Sequence, residues 1–97
     1  MEQTERIREM EQRLDRASAA VMELSAALDS YEAALDGLDQ LKSYYGSELW
    51  RRDLADDEAG RLPQKLKRGV LSEDAVWNLL TDNRNLRLRM QQVAAKE

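Results

Sequence analysis

The chain reads as all-α: a long antiparallel helical hairpin of coiled-coil type, closed by a short-helix connector at its tip and dimerising. Three observations predict this. From Ile7 to Tyr45 an apolar or small residue recurs at alternating three- and four-residue steps, through Met10, Leu14, Ala17, Val21, Leu24, Leu28, Tyr31, Leu35 and Leu38, and only Lys42 breaks the seam. A seam held over about five heptads marks a long helix packed along another helix. A second, shorter seam runs Val76, Leu79, Asn83, Leu86, Met90, Val93, and Gly46, Gly60, Pro63 and Gly69 punctuate the stretch between the two. The 97 residues form one helical domain, 1–97, with a first helix over about 4–45, a connector over about 47–69 and a last helix over about 73–95.

The first helix carries a seven-residue internal repeat, visible in Ser18-Ala19-Ala20-Val21, Ser25-Ala26-Ala27-Leu28 and Glu32-Ala33-Ala34-Leu35. With Ile7 at heptad position a, Ala20, Ala27 and Ala34 fall at g, where small side chains let a neighbouring helix approach and widen the buried face. Ala19, Ala26 and Ala33 fall on the far side, where helix propensity accounts for them. Gly37 sits at an outward position and Leu38 resumes the seam, so the helix continues past it; Gly46 is the expected stop.

Ser47 is placed to cap a short helix through Trp50 and Leu54 that ends near Gly60, with Pro63 a barrier to continuation. Pro63 can open one further turn through Leu66, closed by Gly69. The last helix has the clearest start. Ser72 is an N-cap, Glu73 and Asp74 put negative charge in the first turn, and Leu71 and Val76 stand at hydrophobic-staple spacing. Asn83 occupies a seam position and is either a buried polar layer that restricts register or a residue at a wet edge.

At 1.5 Å per residue the first helix is roughly 60 Å long and the last roughly 35 Å. A last helix folded back from the tip covers the first only to about residue 20, leaving Ile7, Met10, Leu14 and Ala17 without an intramolecular partner. At ~25 cal/mol per Å² that exposure costs several kcal/mol, so these residues are the predicted self-association surface of a homodimer.

Composition removes whole classes of chemistry. With no cysteine and no histidine, disulfides, Cys/His zinc sites, thiolate nucleophiles and imidazole catalysis are impossible. A net charge of -4 and a pI near 4.9 argue against sequence-independent nucleic-acid binding, which needs clustered positive charge. The start Met1-Glu2-Gln3-Thr4-Glu5-Arg6 has no apolar signal core, and no run approaches the ~18 apolar residues of a membrane span. A cytoplasmic protein with no membrane partner is expected.

Tyr44, Tyr45, Trp50 and Trp77 gather at the tip, where aromatic rings can anchor a connector and keep an O–H or N–H at a wet boundary; Trp50 and Leu66 are the expected anchors. The segments Tyr44-Tyr45-Gly46-Ser47-Glu48-Leu49-Trp50-Arg51-Arg52-Asp53, Leu62-Pro63 and Lys67-Arg68-Gly69-Val70-Leu71-Ser72-Glu73-Asp74 resemble a family of small bacterial helical proteins of unknown function. The resemblance spans most of the chain. It implies a bacterial cytoplasmic protein and supplies no activity or ligand.

Asp53, Asp56 and Asp57 have the i, i+3, i+4 spacing that puts carboxylates on one helical face, the geometry from which a helical hydrolase holds Mg²⁺. Such a site needs facing carboxylates from a second helix, and solvated acids paired with Arg51, Arg52 or Arg68 are the plainer reading. Tyr44 and Tyr45 lack an accompanying base. The reading is a non-enzymatic interaction or scaffold module without a cofactor, presenting Arg52, Asp53, Lys67 and Arg68 to an unknown protein. The alternatives are a metal-dependent hydrolase built on the tip carboxylates and a nucleic-acid-associated protein using Arg61 to Arg68.

Overall fold

The structure, a computed structural model, describes residues 2–96. Among these, all regular structure is helical: α1 (Gln3–Tyr44), α2 (Glu48–Glu58), a single 3₁₀ turn at Gly69–Leu71, and α3 (Ala75–Ala94). They fall into two compact units that divide between Leu35 and Asp36. No helix among the described residues is long and apolar enough to cross a membrane.

The first unit is a stretch of α1. Its first turn is capped by Glu2, whose carboxylate accepts from the amides of Thr4 at 2.9 Å and Glu5 at 3.3 Å. Those amides otherwise have no partner inside the helix, and they hold the Glu2 carboxyl below its usual range. Ile7, Met10, Leu14, Val21, Leu24 and Leu28 are all 36–69% exposed, and Ala17 is exposed with them. The exposed seam thus runs on through Leu28 rather than stopping near residue 20, and among seam residues half-burial begins at Tyr31 and Leu35.

The second unit is built by capping. α1 passes through Gly37, where a Cβ would meet nothing within 4 Å, and gives way at Gly46, whose φ of +79° suits glycine. Ser47 then joins two helices through one hydroxyl: it donates to the Tyr44 carbonyl at 2.6 Å and accepts from the Trp50 amide at 3.2 Å. α2 ends in a Schellman arrangement around Gly60 (φ +72°), with the Arg61 amide on the Asp56 carbonyl at 2.9 Å and the Gly60 amide on Asp57 at 3.0 Å.

Beyond α2 the chain turns at Pro63, whose carbonyl accepts from the Leu66 amide at 3.2 Å. Gly69 opens the 3₁₀ turn instead of closing one, and α3 starts at Ala75, later than about 73. The reason is competition for Ser72 and Glu73. The Ser72 hydroxyl donates back to the Gly69 carbonyl at 2.7 Å while accepting from the Ala75 amide at 3.2 Å, and the Tyr45 hydroxyl holds the Glu73 carbonyl at 2.9 Å. Residues 73 and 74 are thereby held in a bend. The predicted staple pair, Leu71 and Val76, are the two buried side chains of the described residues, at 8% and 3% exposure.

Within this unit the partners of α1 step backward as α3 advances. Tyr45 reaches Glu73, Leu41 shares a groove with Val76 and Leu79, and Leu38 shares one with Leu80 and Arg84.

Candidate interaction surfaces

The tip aromatics are joints rather than a binding pocket. Tyr45 and Trp50 meet edge to face with ring centroids 5.1 Å apart, and the Trp50 indole N–H donates to the Val70 carbonyl at 2.9 Å. Tyr44 donates its phenolic proton to Asp53 at 2.5 Å. That bond, reinforced by burial and by the carboxylate charge, pushes the phenol up to about 12, away from any role as a base near neutral pH. Trp77 does not join this cluster. It is 58% exposed, because it stands about 100° around α3 from the buried Val76. Leu66, also expected as an anchor, is exposed; Leu54 and Leu62 are half-buried in its place.

The acidic residues of α2 point to separate partners. Asp53 holds Tyr44, Asp56 pairs with Arg61 at 3.2 Å and Asp57 with Arg68 at 3.1 Å. Among the described residues no group of three or more acidic side chains is gathered where it could hold a metal ion. Arg68 also donates to the Pro63 carbonyl, while its Nε is buried with no hydrogen-bond partner. The four residues singled out as a presented surface therefore divide. Asp53 and Arg68 are half-buried and tied into the connector, whereas Arg52 and Lys67 are exposed.

Two grooves flank α3 in the second unit. One is apolar, walled by Leu41, Val70, Val76 and Leu79, with Lys67 among its lining residues. The other is lined by Leu38, Trp77, Leu80 and the half-buried Asn83, with Lys42 and Arg84 beside them. The sequence seam placed Leu79, Leu86 and Val93 on the packed side of α3 with Val76, whereas the half-buried positions that follow Val76 are Leu80, Thr81, Asn83 and Met90. Leu79, Leu86 and Val93, each seven residues from the next, are all more than two-fifths exposed. Their spacing was the available signal.

Residues 7–93 match the family described as Domain of unknown function (DUF4298). The chain belongs to this family. The DUF4298 match begins at Ile7, the first residue of the long seam, and ends at Val93, the last of the α3 seam. The expectation of a helical family of unknown function is met, and the family description names no reaction. No curated protein and no solved structure matches the chain.

Proposed function

We propose that the chain is a non-enzymatic interaction module, an antiparallel helical hairpin that self-associates through Ile7, Met10, Leu14 and Ala17 and offers its connector to a protein partner. The observation that carries this reading is the exposed seam. Six large apolar side chains between Ile7 and Leu28 stand 36–69% exposed at coiled-coil spacing, and a helix with such a stripe is stabilised by packing rather than by propensity. The backward-stepping partners of Tyr45, Leu41 and Leu38 along α3 support the hairpin.

Within the connector, Arg52 and Lys67 have the exposure a docking residue needs, while Asp53 and Arg68 keep the tip in shape beneath them. A nucleic-acid role fits less well, because Arg61 and Arg68, two of the four basic residues between Arg61 and Arg68, already pair with Asp56 and Asp57. A hydrolase fits less well because Asp53, Asp56 and Asp57 each have a different partner. Light scattering at tens of micromolar tests the assembly. The expected mass is twice the chain mass of 11.2 kDa; a monomer with the N-terminal third fully helical removes the argument.

A further inference from the structure

We propose that the seam of one copy, from Ile7 to Leu28, lies along the exposed stripe of α3 in a second copy, Leu79, Leu86 and Val93, with the reciprocal contact generated by a two-fold axis. This rests on the self-association read above and specifies its geometry. A match of stripes allows α3 of the second copy as the partner, and charge and area favour it over its α1.

The stripes match in period and length. On α1 the heptad a residues Ile7, Leu14, Val21 and Leu28 repeat every seven residues, as do Leu79, Leu86 and Val93 on α3, and both sets are exposed. The first spans 22 residues, about 33 Å, and α3 has 20 residues, about 30 Å.

Charge favours the same pairing. The stripe itself, residues 7–28, contains Glu9, Glu11, Asp15 and Glu23 against Arg8, Arg13 and Arg16, a net charge of -1, whereas residues 75–96 contain Asp82 against Arg84, Arg87, Arg89 and Lys96. None of these four cations is in an ion pair among the described residues. Two α1 segments laid together place like net charge on like, while α1 against α3 places opposite charge together. Exposed charges add little affinity, but they select partner and orientation.

Area points the same way. A helix stripe about 30 Å long and roughly 10 Å wide offers on the order of 300 Å². The reciprocal arrangement uses two such stripes per copy, about 600 Å², at the lower edge of the roughly 600–1,000 Å² per partner of a standard interface, whereas α1 on α1 uses one. A two-fold axis makes both contacts equivalent and closes the assembly at two copies.

The absence of cysteine makes a direct test clean. Ala17 and Leu86 lie near the centres of the two stripes, so they oppose each other whichever way the helices run. Full-length Ala17→Cys and Leu86→Cys chains are unfolded, refolded separately or as an equal mixture, and treated with a thiol–thiol cross-linker spanning about 10 Å, the distance between packed helix axes. Circular dichroism confirms that each refolds. The expected result is covalent dimer from the mixture and none from either variant alone. Covalent dimer from Ala17→Cys alone overturns the proposal and leaves self-association standing, now as α1 on α1. No product together with a monomeric mass overturns both. A second variant, Arg84→Glu with Arg87→Glu and Arg89→Glu, is expected to weaken dimerisation tenfold or more at low salt; unchanged dimerisation overturns the charge selection on which the α3 assignment depends.

Discussion

The connector and the N-terminal half of α1 are both surface-rich, yet they are held by opposite means. Around α2 the chain is held by directional bonds between named groups. Ser47 ties two helices, Gly60 closes one, Trp50 and Tyr45 reach carbonyls 20 and 28 residues away, and Arg68 pairs with Asp57. Along residues 10–28 the backbone is satisfied by the helix itself while every side chain is exposed. Apolar burial is slight in both regions. In the first, directional bonds replace it; in the second, nothing within the unit does. A segment of the first kind is complete as a fold, and one of the second kind leaves an apolar stripe that the proposed second copy would cover.

Substitutions in the connector sharpen this contrast. Trp50→Ala removes a half-buried ring, its edge-to-face contact and the bond to Val70, and is expected to cost about 3 kcal/mol in denaturant unfolding. A loss below 1 kcal/mol would show that the tip is held elsewhere. Asp57→Ala leaves Arg68 with a poorly satisfied guanidinium. Because that side chain is 35% exposed, solvent screens much of the penalty and about 1 kcal/mol is expected. Asp56→Ala, whose partner Arg61 is 74% exposed, should cost less, and equal losses contradict the burial argument.

Ser72→Ala removes both the bond to Gly69 and the cap on Ala75, for about 1 kcal/mol. Amide exchange at Ala75 and Val76 should rise first; uniform acceleration along α3 would mean that the helix start does not depend on Ser72.

The smallest effect is the most specific. The phenol of Tyr44 rises from 10.0 to about 12 because its protonated form donates to Asp53. A pKa raised in the folded state gives stability that is fully present below 10.0 and lost as pH climbs toward about 12. The stability difference between the native chain and Tyr44→Phe should therefore be constant through neutral pH and shrink across that window. Ultraviolet titration should show a tyrosinate transition near 12 that vanishes in the variant. A flat difference through pH 12 would break the assignment.

Much of the connector was legible because its signals are local. Ser47, Gly46 and Gly60 act on their immediate neighbours, and the Leu71–Val76 staple spans five residues. What was not legible depended on competition at a distance. Ser72 and Glu73 are claimed by Gly69 and Tyr45, which shifts the start of α3 to Ala75, and the Tyr45 contact crosses 28 residues. Trp77 was assigned to the tip by residue type, although its position one step after Val76 already turned it away from the buried side. The carboxylates shared a helical face as expected, but their partners come from α1, from the turn after α2 and from residue 68, which no spacing rule encodes. The proposed self-association surface was read from helix length. Its extension to Leu28, and the matching stripe on α3, required knowing which seam residues stay exposed.

Hydrogen exchange along residues 10–28, measured from sub-micromolar to hundreds of micromolar chain, tests the central claim most directly. If a second copy covers the seam, protection of these amides rises with concentration while that of residues 47–60 changes little. Rapid exchange at every concentration, or full protection in a chain whose mass remains monomeric, contradicts it.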